Sequence, residues 1–421
     1  MRTKPWIALL AAATVGLSAC TTESSGPTQP KLERSSAARP TAQASHVFKA
    51  FSGETRAPFA GGAAQSVFIG DPTITYNGGP IIQAEKVAAI YWSSRTIYTG
   101  GPAAGSTGNG TSDASLVGFF LNHIGGSPYY AINTPYHDGS GHYVQNSITY
   151  TQYWASNTGV PAPGSNVTLS ALESKIEAGF TSGALTYDQN TLYMVFTDSA
   201  VDQRNLFISN GCAEHGSFTW NGHDVRYAAM PRDLDQSLCT QASVVVGAGS
   251  PNNDRAADVE VNTIVHEMEE TNTDPDPFTG WYDSQENESA DKCAWHFDPM
   301  YTTANGSKAN TNLAGKDFLI QQEWQLAYVQ GCEVKLFSAT VTGPFEAQPF
   351  VLCTWASHPS GGAPPYTYAW FGNSRLSSST VNYVNGGSSF YAFVNIKDTN
   401  GVTVEPEEWV NVSQYNPQCG S

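Results

Sequence analysis

The sequence predicts a large domain of the α/β or α+β class, with a mixed sheet and packed helices, followed by a small all-β domain. The segments 86–92 and 191–197 contain unbroken apolar runs, residues 87–92 and 192–196, typical of strands buried on both faces of a sheet. Apolar residues at helical spacing occur between and after these runs, so helices are expected to pack on the sheet. Beyond Lys335, short alternating runs separated by Gly-, Pro- and Asn-rich turns have the pattern of a small sandwich.

Each element follows from its local pattern. Residues 147–154 alternate as a strand, whereas residues 115–123 and 168–179 have helical spacing. A further helix is expected to begin near Asp258 and to end near Thr273, because two Asp-Pro pairs follow it. The strands predicted after Lys335 are 338–342, 350–355, 366–371, 389–396 and 408–412.

Composition limits the classes of partner. The 421 residues are 40% hydrophobic, which is enough for two or three domains with real cores. Acidic residues outnumber basic ones by 37 to 20, and the net charge of -17 argues against binding to nucleic acid or to an anionic membrane surface. This charge balance suits a solvated extracellular protein.

Residues 1–19 have the features of an export signal. Two basic residues precede an apolar run, residues 6–15, that is too short to span a membrane, and Leu-Ser-Ala-Cys ends at Cys20. This pattern resembles a bacterial lipoprotein signal. The resemblance implies cleavage before Cys20 and lipid attachment to it, which would anchor the protein to the outer membrane or cell surface, facing away from the cytoplasm. The alternative is an ordinary secretory signal with a coincidental cysteine.

Residues 20–64 are predicted to form a disordered tether, because they contain few large apolar side chains whose burial could offset the entropy of ordering. An alternative for Val47 and Phe48 is that they dock on the domain that follows. The main domain is expected over residues 65–336 and the C-terminal domain over residues 337–421.

The helix expected after Asp258 carries residues suited to metal binding. His266 and Glu270 lie four positions apart, so they share one face, one turn above the other. With Glu267 they form HExxE, where a zinc hydrolase ordinarily has HExxH. His266 supplies a nitrogen and Glu270 an oxygen, and a third ligand must come from elsewhere, which leaves one position for water.

A second acidic segment, Asn-Glu-Ser-Ala-Asp, ends at Asp291. Together the two segments resemble the gluzincins, zincin-type peptidases whose third ligand is a Glu and whose following Asp orients the first His. The resemblance implies a divalent ion bound by His266, Glu270 and Glu288, with zinc as the first choice of metal. It also implies Glu267 as the general base and Asp291 as the third ligand or the orienting group.

The glutamate at position 270 weakens the catalytic interpretation. Two anionic ligands would leave less positive charge on the ion, so its bound water would be less acidic, and the extra oxygen would also admit manganese or iron. In the alternative without a metal, the glutamates of this helix form a solvated acidic face. His266 then packs against Trp281 or Tyr282.

Six cysteines remain besides Cys20, an even number that fits an oxidising compartment. None forms a CxxC pair, so a metal role for them is poorly supported. His215, three positions after Cys212, could join a cleft, but a structural histidine beside a disulfide is favoured. Domain order favours the pairs Cys212–Cys239, Cys293–Cys332 and Cys353–Cys419.

Collinear motifs over residues 76–334 resemble the exordium, or phosphate-induced protein 1, family of secreted plant and bacterial proteins. The matching segments include Tyr-Asn-Gly-Gly-Pro at 76–80, Ile-Tyr-Trp at 90–92, Tyr-Met-Val-Phe-Thr at 193–197, Gly-Cys-Ala-Glu-His-Gly at 211–216, His-Glu-Met-Glu-Glu at 266–270 and Glu-Ser-Ala-Asp-Lys-Cys at 288–293. The family pattern has a second cysteine near Cys239, which is missing here. The resemblance implies a secreted or cell-wall-associated protein and brings no assigned reaction.

The C-terminal segment around Cys353 and Trp355 resembles the immunoglobulin-like or PKD-type modules of bacterial surface proteins, which implies an accessory role. Tyr366, Tyr368 and Trp370 alternate and share one face, for which a core position is favoured over a sugar platform.

Two functions follow from these patterns. The first is a lipid-anchored metallohydrolase, peptidase-like, that acts on extracytoplasmic peptide or glycopeptide. The second is a non-catalytic cell-surface or cell-wall-associated protein that binds wall polysaccharide or a protein partner.

Overall fold

The computed structural model describes residues 45–49, 73–199, 201, 203, 211–233, 239–240, 249–326, 330–362, 364–371, 378–399, 401–415 and 417–419. The expected signal peptide and Cys20 lie outside these ranges, as does most of the expected tether. Among the described helices, none combines the length and the apolar character needed to cross a membrane.

The centre of the main domain is a mixed sheet, as predicted. The first eight strands are β1 (Ser45–Lys49), β2 (Thr75–Tyr76), β3 (Glu85–Trp92), β4 (Thr107–Asn109), β5 (Ile148–Ser156), β6 (Thr191–Thr197), β7 (Gly211–Trp220) and β8 (His223–Met230). All but β2 form one seven-stranded sheet in the order β1-β7-β8-β6-β3-β5-β4. The inner strands β5, β3, β6 and β8 run parallel, whereas β4, β7 and β1 are antiparallel to their neighbours.

Three helices of the described residues cover this sheet: α1 (Leu116–His123), α2 (Leu169–Ser182) and α3 (Arg255–Thr273). Each begins at a polar residue whose side chain accepts a backbone N–H of the first turn: Ser115, Thr168 and Asp254. α2 packs on one face of the sheet, while α1 and α3 pack on the other. The sequence patterns therefore located all three helices, to within three residues at each end.

Short strand pairs follow α3 and extend the main domain. They are β9 (Trp281–Tyr282), which pairs with β2, and then β10 (Tyr301–Thr302) with β11 (Lys308–Ala309), β12 (Thr311–Leu313) with β13 (Lys316–Phe318), and β14 (Glu323–Gln325) with β15 (Gly331–Glu333). Large apolar side chains from this region join the buried core, among them Phe318, Ile320 and Trp324. As a result, α3 is covered on the side that faces away from the sheet.

The C-terminal residues form strands in two further sheets. The strands are β16 (Ser338–Thr342), β17 (Glu346–Ala347), β18 (Leu352–Ser360), β19 (Thr367–Trp370), β20 (Thr380–Val384), β21 (Phe390–Lys397), β22 (Thr403–Val404) and β23 (Glu407–Val412). One sheet has three strands and the other has five. Trp355 and Trp370 are fully buried between them, and Tyr366 and Tyr368 pack against the same core, where the alternating pattern placed them.

Three disulfides join Cys212 to Cys239, Cys293 to Cys332 and Cys353 to Cys419. These are the pairs that domain order favours. Disulfides persist in oxidising compartments, so they indicate that the chain folds outside the cytoplasm.

The prediction of a tether over residues 20–64 is wrong for Ser45–Lys49. These residues form β1, which lies antiparallel along β7 at the edge of the main sheet. Phe48 is fully buried, in a cluster with Trp295 and the disulfide of Cys212 and Cys239. The docking alternative is therefore the correct one for Phe48, because its burial and the β7 backbone hydrogen bonds together offset the entropy of ordering.

Candidate metal centre

α3 is a core helix over almost its whole length. Every residue from Ala257 to Thr273 is buried, including Glu267, Glu269 and Glu270. The alternative of a solvated acidic face is therefore wrong. His266 packs against Phe48, with ring centroids 3.8 Å apart, and not against Trp281 or Tyr282 as that alternative required. The reason is tertiary: the sheet covers one side of α3, and the segments that follow α3 cover the other.

The first candidate ligand group brings together four elements of the chain. His46 on β1, His215 on β7, Glu270 on α3 and Glu288 in the following loop each offer an atom, and these atoms all lie within 4.8 Å of one another. His46 Nδ1 is 3.1 Å from Glu270 Oε2. His215 Nε2 is 3.6 Å from Glu288 Oε2. Two nitrogens and two oxygens thus converge on one buried point.

The second candidate group consists of His266, Glu270 and Asp291, whose ligand atoms also lie within 4.8 Å of one another. His266 Nε2 is 3.1 Å from Glu270 Oε1 and 3.8 Å from Asp291 Oδ1. The four ligands predicted from sequence are therefore neighbours, but they divide between two groups. Glu288 lies near His215, and Glu270 belongs to both groups. Asp291 faces His266 through Oδ1, and its Oδ2 lies 3.0 Å from His46 Nε2 of the first group.

Many polar atoms in these groups have no hydrogen-bond partner although they are buried. They are His215 Nε2, His266 Nε2, Glu288 Oε1 and Glu288 Oε2, with Glu267 Oε1 beside them. An unsatisfied buried polar atom costs about 1 to 3 kcal/mol. A divalent cation would satisfy several of them at once, since carboxylate oxygens and imidazole nitrogens are ligands of zinc, manganese and iron. The residues present therefore fit a metal ion.

In His215 and His266, the Nδ1 atom lies close to a second polar side chain. His215 Nδ1 lies 3.3 Å from Glu267 Oε2, and His266 Nδ1 lies 3.3 Å from Gln321 Oε1. Fixing one ring nitrogen aims the other, as carboxylates and amides do behind the histidine ligands of metal sites. Glu267 and Gln321 therefore orient the Nε2 atoms of His215 and His266 towards the carboxylates.

The electrostatics of the cluster favour added positive charge. Burial alone would lower the pKa of His46, but the nearby carboxylates, first Asp291, raise it well above its ordinary value. The same opposition holds for His215, where Glu288 is the strongest of the groups that raise the pKa. Burial would raise the pKa of Glu270, yet the histidines hold it well below its ordinary value. The cluster therefore attracts a cation.

Sequence reasoning missed two of these residues. His46 lies in the segment taken as a tether, and His215 was interpreted as a structural histidine. The structure pairs them directly across β1 and β7, where His46 and His215 are register partners. The one local signal was the alternation of His46 with Phe48, which places both on one face of a strand.

Comparison of the chain with models of protein families, with curated proteins and with solved structures finds no match. The resemblances to the exordium family and to the gluzincins therefore stay predictions. The geometry of the buried groups carries the functional argument.

Proposed function

We propose that the protein is an extracytoplasmic metal-dependent hydrolase, peptidase-like, that acts on peptide or glycopeptide. The single observation that carries the proposal is the convergence of His46, His215, Glu270 and Glu288 within 4.8 Å. A lone acidic helix face would not bring nitrogens from two separate strands to the same point. When bound, a divalent ion, with zinc as the first choice, would activate a water molecule and polarise the substrate carbonyl.

The roles of the surrounding residues follow from their contacts. Glu267 positions His215 through Oε2, and its unpartnered Oε1 is the acceptor that a general base needs. Gln321 positions His266 in the same manner through its Oε1. The Nε2 of Gln321 donates to the carbonyl oxygen of Ala290 at 2.9 Å, which holds the backbone immediately before Asp291. The disulfide of Cys293 with Cys332 restrains the same segment.

The architecture supports a zincin-like interpretation of the main domain. A mixed sheet with antiparallel strands at its edge precedes the helix that carries HExxE, and that helix packs beneath the edge strands β7 and β1. We further propose the exordium-like identity, lipid attachment at Cys20, and an immunoglobulin-like sandwich as an accessory module after Lys335.

Metal content is the first test. Full-length protein purified without added metal is analysed for its elements, beside a Glu270→Ala variant and a matched Glu177→Ala control on the partly exposed side of α2. The proposal expects a stoichiometric divalent metal in the unaltered chain and in the control, and loss of it from Glu270→Ala. A chain without metal would overturn it.

Catalysis needs a separate test. A metal-loaded chain is screened against a library of fluorogenic peptides and glycopeptides, and any activity is compared with that of Glu267→Gln. The proposal expects a fall of about a hundredfold or more in kcat with the metal content unchanged. Activity equal to that of the unaltered chain would remove Glu267 from the reaction.

A second candidate function is binding of cell-wall polysaccharide without catalysis. It is favoured by Tyr391 and Trp409, cross-strand partners on β21 and β23, each 50% exposed, with ring centroids 4.7 Å apart. Exposed aromatic rings of this kind can stack on sugar rings. Under this candidate, Trp409→Ala weakens retention on purified wall material about tenfold, whereas Tyr415→Ala, at a residue 85% exposed, does not. Equal retention of all three chains would exclude this surface.

A further inference from the structure

Glu270 presents its two oxygens to two different sets of ligands. Oε2 lies 3.1 Å from His46 Nδ1 and 3.5 Å from His215 Nδ1. Oε1 lies 3.1 Å from His266 Nε2 and accepts a hydrogen bond from the backbone N–H of Asp291 at 3.1 Å. A carboxylate with one oxygen directed to each of two ligand groups has the arrangement of a bridging ligand.

We infer that the cluster is a dinuclear centre in which Glu270 bridges two divalent cations. One ion is held by the group of His46, His215 and Glu288, and the other by His266 and Asp291. This inference rests on the proposed metal centre and adds a second ion to it. It goes beyond the single site that HExxE indicates, because His266 belongs to the second ion and His215 to the first.

The second position has its own unsatisfied atom. His266 Nε2 lacks a hydrogen-bond partner, its side chain is 0% exposed, and Asp291 Oδ1 lies 3.8 Å from it. His266 Nε2 is near Glu270 Oε1 but without the alignment of a hydrogen bond. An ion bound by the first group alone would leave His266 Nε2 unsatisfied, so the first ion does not account for it.

Charge balance points the same way. Four buried carboxylates surround the three histidines: Glu267, Glu270, Glu288 and Asp291. Metal ligation requires neutral imidazoles and ionised carboxylates. In that ligated state a single divalent ion would leave a net charge of about minus two in a water-poor interior, which is unfavourable. Two divalent ions would balance the four carboxylates.

The ligands indicate the class of the second ion. His266 offers one nitrogen, while Glu270 and Asp291 offer only oxygens, so this position suits manganese(II) or iron(II) as well as zinc. A pair of divalent ions held here would supply an activated water and polarise the carbonyl oxygen of a peptide substrate.

Manganese binding to the full-length chain tests the inference. The metal-free protein is dialysed against manganese(II), the bound equivalents are measured, and electron paramagnetic resonance spectra are recorded at low temperature. Two bridged ions predict two equivalents per chain and an exchange-coupled signal. His266→Ala and His215→Ala are each expected to bind one equivalent without coupling. Glu270→Ala is expected to lose the coupling altogether.

His142→Ala is the matched control, since His142 is 58% exposed and pairs with Asp138 away from the cluster. It is expected to keep two coupled ions. One equivalent and an uncoupled signal in the unaltered chain would overturn the second ion while the proposed metal centre stands. No bound equivalent would overturn the proposed metal centre itself. The coupled signal of the unaltered chain is measured without any variant, so the test holds even where a substitution prevents folding.

Discussion

The two sides of α3 bury the same kind of side chain among different neighbours. Glu270 faces three histidines, and they hold its pKa well below the ordinary value despite its burial. Glu269, the residue before it in the chain, interacts with the carboxylates of Glu323 and Glu85. Burial first, and then these carboxylates, raise the pKa of Glu269 well above the ordinary value. The histidine neighbours outweigh burial at Glu270, whereas burial and the neighbouring carboxylates act in the same direction at Glu269.

This contrast separates a cation site from a proton-holding site. Around Glu270, imidazole nitrogens supply ligands and hold the pKa of Glu270 well below its ordinary value, although burial raises the pKa of Glu288. Around Glu269, the neighbours are the carboxyl groups of Glu323 and Glu85, and Tyr130 donates to Glu85 Oε2 at 3.0 Å. Burial and like charge favour the protonated form of the carboxyl groups in that second cluster. Each experiment below is expected to affect one side of α3 and to leave the other unchanged.

The largest expected effect is that of Glu270→Ala compared with Glu269→Gln. Removing the Glu270 carboxylate leaves two or more buried groups unpaired, so the free energy of unfolding should fall by about 5 kcal/mol. Glutamine resembles a protonated glutamate, so Glu269→Gln should change it by less than about 1 kcal/mol. Denaturant unfolding at neutral pH, with and without a chelator, measures both. Equal losses of unfolding free energy in the two variants would show that the two sides of α3 do not differ in this way.

The next effect concerns pH. Burial raises the pKa of Glu85 to about 8 from an ordinary value of 4.5. The folded protein therefore favours the protonated form, and the stability from this group is complete below about pH 4.5 and is lost as the pH rises through 8. The loss should total about 5 kcal/mol. Glu85→Gln should remove this decrease of stability with pH. The measurement is the free energy of unfolding at several pH values between about 4.5 and 8. An unchanged slope would assign the pH dependence to other groups.

A smaller effect is expected for Phe48→Ala. The ring packs on His266 and on Trp295, so its removal should lower stability by about 3 kcal/mol and weaken metal binding through the displacement of His46. Metal titration and thermal unfolding measure the two consequences. Phe345→Ala, at a residue 54% exposed, is the control. Unchanged metal affinity in Phe48→Ala would show that β1 is not needed at the centre.

The smallest effect is expected for the exposed pair of His142 and Asp138, whose side chains are 2.8 Å apart. Solvent screens an exposed ion pair, so His142→Ala should change neither the thermal midpoint nor the metal content measurably. A clear loss of metal in this variant would mean that the cation lies elsewhere.

Local patterns were sufficient for most of the fold. α3 was expected from Asp258 to Thr273; it begins three residues earlier and ends where expected. It could be located from sequence because the apolar periodicity and the Asp-Pro pairs that end it are local signals. Strand β6 matches residues 191–197 at both ends. HExxE and the Asp291 segment also indicated, from local spacing, residues that the fold brings together.

The rest of the centre depends on contacts between distant parts of the chain. His46 reaches it because β1 pairs with β7, in a register that places His46 opposite His215. No local spacing encodes that register. The burial of Glu267, Glu269 and Glu270 likewise depends on segments after residue 280 that cover the helix. The sequence of the helix by itself does not predict this burial, because a glutamate-rich helix is typical of a solvated surface.

The most direct test of the central claim is anomalous diffraction from crystals of the metal-loaded chain, recorded on both sides of the absorption edge of the metal. The account predicts anomalous peaks at Glu270, one between His215 and Glu288 and one between His266 and Asp291. A fully folded, metal-loaded chain with no anomalous peak beside Glu270 would contradict it.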